Sequence, residues 1–369
     1  MRVRYSLFSV VLIGVLSVGF KLDSGSPTIT SPLNMYLYDT LLLVSDSVGG
    51  LLIYSVANDK APRFKARIPI KGSSGAAMKD SIIYANSWGG ILALRLVNDT
   101  NYEVISVVKT DPYHPGETWH GTGAVSNSSG GFGCFSPDYN NPLDGGTMEY
   151  SNSKGMGGSY AVFAVIDSFL YYIDNQSLVT MDISDAARPY KISETYIDWS
   201  IETLFPTEKY LFIGGTGGMY VMDRADPVHP VRIGSITHFR ARDPVVVKDS
   251  MAYVTLRTGI DRWWDAKDEL MVVNLKSITS PRLVNELSLG TPYGLTIRDT
   301  LLYVAQGHGG WTLFGLSNPS IPAVLANWQS PAVRDFIWTG HRLYMMCFDK
   351  IMIYSAADPR NPVPVAEIE

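Results

Sequence analysis

The sequence predicts an all-β chain, a seven-bladed β-propeller of four-stranded antiparallel blades, on three observations. A block of about 41 residues recurs seven times, each copy holds four strand-like runs with no helical period, and the copies account for nearly the whole chain. The repeat is read at a tight turn ahead of a Tyr-rich strand, at Asp39, Asp80, Asp167, Glu208, Asp249, Asp299 and Gly340. Successive markers are 41, 87, 41, 41, 50 and 41 residues apart, so two intervals carry insertions and the others keep the period.

Within a unit the strands follow as A to D. The copy from Tyr293 to Trp328 is the clearest: GLTIRD, then TLLYVAQG, then GWTLFGL and, after SNPSIP, AVLANW. Runs of this length, rich in β-branched and aromatic residues and bounded by Gly, Pro, Asn and Asp, read as strands. Strand B alternates, as in Leu302–Tyr303–Val304–Ala305. Strand C is almost continuously apolar in every copy, which suits a strand covered on both faces. Gly49–Gly50, Gly89–Gly90, Gly217–Gly218 and Gly309–Gly310 precede strand C in repeat register and read as hairpin turns, not phosphate loops. After strand C most copies have a turn ending in proline, for example DAARP at 185–189 and ADPVHP at 225–230; the second copy has Asn98–Asp99–Thr100–Asn101 instead. Proline presets φ and lacks an amide donor, so it fits this turn and the edge of outer strand D. A unit beginning at strand A and a last unit ending at strand D imply ring closure with little or no strand exchange.

The pattern of a Tyr-Val strand, a Gly-Gly turn, an apolar strand ending in Asp and an Asp-Pro-x-x-Pro loop resembles the LVIVD repeat of bacterial and archaeal surface proteins. The best copies are LVTMDISDAARP at 178–189 and MYVMDRADPVHP at 219–230, while Tyr54, Leu94, Asn274, Gly315 and Tyr354 replace the Asp elsewhere. The resemblance implies a seven-bladed propeller and little about activity.

Residues 1–26 read as a signal peptide and short leader, and 27–369 as a single propeller domain. Met1–Arg2–Val3–Arg4 precedes an apolar stretch from Leu7 to Phe20, too short for a comfortable membrane span and suited to a secretory core, with Ser17 and Gly19 as a small-x-small cleavage site. The expected location is export to the periplasm, cell surface or medium, with no transmembrane span in the mature chain. A net charge of −5 with scattered Lys and Arg argues against nucleic acid as a partner. The two cysteines, Cys134 and Cys347, suggest one disulfide in an exported chain, with two free thiols as the alternative.

Blade topology locates the candidate chemistry. The larger insertion, at about 111–158, follows strand D of unit two; the smaller, at about 259–268, follows strand B of unit five. Both connections belong to the same face of the disc, which we term the decorated face, leaving short turns on the other. The insertions mix Gly, Ser and Asn with aromatics, among them Trp119, His120, Tyr139, Trp263 and Trp264. These either bind a partner or pin the loops to the propeller. At the start of strand A the repeat places Leu33, Ser74, Ala161, Glu202, Asp243, Tyr293 and Arg334, with Arg242 and Asp335 as neighbours. These should ring the channel mouth and either hold a polar ligand or pair with one another. The six histidines lack metal-ligand spacing, and no nucleophile elbow, Walker loop or EF-hand loop occurs, so no metal or cofactor is expected. The preferred reading is a binding or scaffold module for a protein or glycan at the cell envelope. The alternative is a saccharide-active hydrolase or lyase with Glu202 and Asp243 as acid and base.

Overall fold

The structure, a computed structural model, describes residues 19–21, 27–87, 90–98, 101–109, 155–237, 244–258 and 267–369. Seven antiparallel sheets of four repeat strands form a ring, and the described residues contain no helix. Blade 1 runs Pro32–Tyr38, Leu41–Asp46, Gly50–Ser55 and Arg63–Ile68, and blade 7 runs Val333–Thr339, Arg342–Cys347, Ile351–Ser355 and Val363–Ile368. Two blades gain a fifth strand: Gly19–Lys21 joins the outer edge of blade 2, and Gly155–Gly157 joins the inner edge of blade 1.

The repeat signature has a physical cause at each position. Six of the seven markers, Asp39, Asp80, Asp167, Asp249, Asp299 and Gly340, take φ of 51–54° in the A–B turn, a left-handed conformation that Gly tolerates freely and Asp more readily than most residues. Glu208 departs from them; its turn is closed by Thr207, whose hydroxyl accepts from the Tyr210 amide at 3.0 Å. Asp182, Asp223 and Asn274 end strand C because their side chains accept from the amide two residues on, at 2.7, 2.8 and 2.9 Å. A second turn of the same kind follows at Asp185, Asp226, Asn318 and Asp358. The strand pairing puts Ser55, Arg95 and Ser355 opposite the first residue of strand B, as Asp182 is, so the sequence reading of Tyr54, Leu94 and Tyr354 lies one residue early in those blades. Without the proline turn, strands C and D of blade 2 extend to Gly90–Asn98 and Asn101–Lys109, nine residues each.

The core lies between blades. Strand C is buried on both faces, as in Gly218–Asp223, and strand D is largely exposed, as in Tyr190–Tyr196. Strand-B tyrosines add a polar latch within this packing. Tyr84 donates to the Ala186 carbonyl of the next blade at 3.0 Å, Tyr171 to Pro227 at 2.8 Å, Tyr253 to Pro319 at 2.9 Å, and Tyr303 to Pro359. Blade 4 has Phe212 at this position.

Blade 7 is built from the C-terminal segment alone, so the ring closes without strand exchange. Side chains close it: Ile29, Met35 and Leu42 share one apolar layer with Ile337, Tyr344 and Ile353. Arg342 pairs with Asp59 across the same junction, and Arg334 Nη1 donates to the Pro32 carbonyl at 2.7 Å. The start of the domain is pinned by Asp46, whose carboxylate accepts from the amides of Thr30, Ser31, Val48 and Gly49 at 2.6–2.9 Å.

Candidate functional site

Strand A of each blade lines the central channel, and the end of the long insertion enters it. Gly155, Met156 and Gly157 pair antiparallel with Tyr38, Leu37 and Tyr36 of blade 1. Tyr38 stands beside the A–B turn, so the segment enters at the short-turn end and climbs to Ala161, where blade 3 begins. The chain leaves blade 2 at Lys109, on the decorated face. The described ends of the insertion therefore lie on opposite faces of the ring, whereas the sequence placed the whole insertion on one face. Counting residues between strands does not reveal that a glycine-rich return can pair as an extra inner strand.

Asp335 holds this segment. Its carboxylate accepts from Ser159 N at 3.1 Å, Ser159 Oγ at 2.7 Å and Tyr160 N at 3.0 Å, and Ser159 Oγ accepts from Leu295 N at 2.9 Å. Asn34 Nδ2 adds a bond to the Tyr160 carbonyl at 2.6 Å. The approach requires glycine: a Cβ on Gly158 would stand 2.1 Å from Asp335 Oδ2, and one on Gly294 2.2 Å from Oδ1. Asp335 is 0% exposed. Burial pushes its carboxyl up to about 6, against the opposing hydrogen bonds from Ser159, Tyr160 and the Phe336 amide. Asp335 was expected beside the mouth ring; it is instead an internal clamp.

Beneath the threading segment a cavity of about 640 Å³ reaches toward the short-turn face. Asp39, Met156, Lys248, Arg298, Phe336 and Trp338 are among its lining residues.

Above the segment, at the decorated mouth, cationic and aromatic side chains converge from three blades. Arg257, which follows strand B of blade 5, lies 4.1 Å over the Tyr293 ring. Tyr293 meets Phe348 edge to face at 5.7 Å, and exposed His308 stacks on Phe348 at 4.4 Å. The Arg334 guanidinium lies 5.4 Å from the centre of the same Phe348 ring. Tyr160 rises into this cluster from the threading segment. Burial pushes its hydroxyl proton affinity up, while the nearby charges of Arg257 and Arg334 oppose the shift. Its hydroxyl, Arg257 Nε and Arg334 Nε are buried with no hydrogen-bond partner of good geometry. Neither arginine has a carboxylate ion pair among the described residues.

The predicted ring is thus brought together in part. Tyr293 and Arg334 meet around Phe348, while Glu202 is the second residue of the inner strand of blade 4. Arg334 bonds a backbone carbonyl across the ring closure, not a carboxylate. Arg242, Asp243, Trp119, His120, Tyr139, Trp263 and Trp264 lie outside the described residues. Cys347 is buried and a free thiol among the described residues, and burial pushes it up to about 12; Cys134 lies outside them, so their pairing stays a proposal. The sequence reading missed Tyr160, Arg257, His308 and Phe348. Repeat register offered a signal for three of them, since Arg257, His308 and Phe348 each occupy a B–C loop of successive blades. Among the described residues no three His, Cys, Asp or Glu side chains group as a metal site, and no helix is long and apolar enough to cross a membrane.

No family model matches the chain, and no curated protein matches it. Solved structures do. The fold is similar to that of a protein from Lactobacillus plantarum, with a TM-score of 0.62 at 11% identity over 91% of this chain and 96% of that one. It is also similar to the periplasmic gluconolactonase PpgL of Pseudomonas aeruginosa, with a TM-score of 0.59 at 10% identity over 91% and 96%. BamB of Moraxella catarrhalis gives 0.53 at 10% identity over 85% and 81%. At these identities the likeness shows the propeller fold alone.

Proposed function

We propose that this chain is an exported binding or scaffold propeller, akin to the LVIVD-repeat proteins, that engages a protein or glycan of the cell envelope through its decorated face. One observation carries the reading: Arg257, Tyr293, Arg334 and Phe348 form a cationic and aromatic cluster at that mouth, with neither arginine paired to a carboxylate among the described residues. Arg, Tyr and Trp dominate binding hot spots, because they combine large contact area with directional donors. The reading assigns further contact area to the loop aromatics Trp119, His120, Tyr139, Trp263 and Trp264, and polar specificity to Glu202, Arg242 and Asp243. The apolar leader supports export, and the periplasmic gluconolactonase and BamB are compatible with it at the level of fold.

The test is a quantitative screen of the mature chain on a glycan array and against purified envelope proteins, run beside a hydrolase panel. Replacing Trp263 and Trp264 together by alanine, and separately Arg257 by alanine, is expected to weaken the identified interaction roughly tenfold or more with the unfolding midpoint unchanged. Affinity unchanged in both variants moves the site off this face. Turnover of a saccharide that is lost in Glu202→Gln replaces the binding reading with the enzymatic one.

A further inference from the structure

We infer that the decorated mouth is a recognition site for the carboxylate of a sugar-acid ligand, held by Arg257, Arg334 and the Tyr160 hydroxyl. This deepens the binding reading above and rests on it. The first argument is charge. Two guanidinium groups stand at one opening without a carboxylate partner among the described residues, each beside an aromatic ring. The nearby acid does not neutralise them: Asp335 is fully buried and spends its oxygens on Ser159 and the Tyr160 amide.

The second argument is hydrogen-bond accounting. Buried donors normally have partners, and leaving one without is unfavourable. Here three lie together: Arg257 Nε, Arg334 Nε and Tyr160 Oη. Arg334 has committed one Nη to the Pro32 carbonyl, and Arg257 approaches the Tyr160 hydroxyl without completing a bond of good geometry. A guanidinium edge matches a carboxylate with two parallel N–H···O bonds, and a tyrosine hydroxyl supplies a third donor. An anion drawing these groups toward itself recovers bonds that the protein alone does not make.

The third argument selects among anions. His308 is exposed and stacked on Phe348 at 4.4 Å and 10° between planes, which sets a flat face beside the cations. A pyranose acid presents a flat C–H face and a carboxylate on one rigid ring, so it fills both features with little loss of conformational freedom. A sulfate ion uses only the charge, and an acidic peptide must order a flexible side chain first.

Calorimetric titration of the full mature chain with trigalacturonate tests this, with maltotriose, a tri-glutamate peptide and sulfate as the other arms. Saturable binding of trigalacturonate, weakened roughly tenfold or more by Arg257→Gln and several-fold by Tyr160→Phe, is expected. Both variants should keep the native unfolding midpoint; Tyr160→Phe retains the ring, so it reports the hydroxyl even if Arg257→Gln loosens the loop. No binding, equal binding of maltotriose, binding of sulfate or tri-glutamate in preference, or trigalacturonate affinity unchanged in both variants overturns the proposal. A neutral glycan or a protein that binds this face with Arg257→Gln unaffected but Trp263→Ala/Trp264→Ala impaired retains the binding reading while removing this one.

Discussion

The Ser159 hydroxyl donates to the Asp335 carboxylate at 2.7 Å across 176 residues of sequence, and that bond ties the exit of the long insertion to the inner strand of blade 7. The same hydroxyl accepts from the Leu295 amide, so one serine couples blades 6 and 7 to the chain that threads their channel. The segment leaving the insertion is thereby a structural part of the ring.

Asp335 gives the fold a pH dependence of definite sign. Its carboxyl is raised from 3.8 to about 6 by burial. The folded state therefore holds the proton more tightly than the unfolded chain, and stability falls as pH rises from about 4 to about 6, by up to about 3 kcal/mol. Urea unfolding across that window should show the decline in the native protein, and Asp335→Asn should flatten it. The introduced carboxamide also turns a donor toward the Tyr160 or Ser159 amide, so the variant should lose about 1–3 kcal/mol at pH 4, where the native acid is largely protonated. An identical pH slope in both proteins would contradict the assignment.

Asp46 acts in the opposite sense and at lower pH. Burial alone would raise its pKa, but amides of Gly49, Ser31, Val48 and Thr30 outweigh it and hold the carboxyl below 3.8. Its contribution is present above about pH 4 and is lost as pH falls through the lowered folded value. Asp46→Ala should cost about 2–3 kcal/mol at pH 7, through amides left without an acceptor, and should expose the segment around Ile29 to faster hydrogen exchange. Exchange unchanged at Thr30 and Ser31 would show that the clamp does not hold the start of the domain.

Two glycines should respond differently to the same change. Gly158→Ala forces a methyl to within 2.1 Å of a carboxylate oxygen in a buried site, so a loss of about 3 kcal/mol or failure to fold is expected. Gly340 has φ of 52° and nothing within 4 Å of an added Cβ. Gly340→Ala should cost only about 1–2 kcal/mol, from the left-handed backbone, and Gly340→Asp less, since Asp occupies that turn in five other blades. Equal unfolding midpoints for Gly158→Ala and Gly340→Asp would refute the steric argument.

The tyrosine latches should be individually modest. Tyr171→Phe and Tyr253→Phe each remove one bond between a strand-B hydroxyl and the turn of the next blade, and each should lower stability by about 1 kcal/mol by denaturant titration. The double variant should be close to additive, because the two latches sit at different blade interfaces.

The sequence alone determined the ring. Blade number, strand order, the insertion points and the buried strand C follow from local chemistry repeated at fixed spacing: Asp39 and Asp299 need a left-handed turn, Asp182 and Asp223 close their own backbone, and apolar runs such as LLIYSV need cover on both sides. Such features are legible because each depends on neighbours a few residues away. The course of the insertion and the composition of the mouth were decided by tertiary structure. Nothing near Asp335 in sequence says that its carboxylate turns inward to bind Ser159, and nothing near Arg257 says that it meets Tyr293 and lies close to Arg334. Those contacts join residues tens to hundreds of positions apart, and they exist because closing seven blades into a ring brings their inner ends to one axis. Repetition encodes each blade; only closure defines what faces the channel.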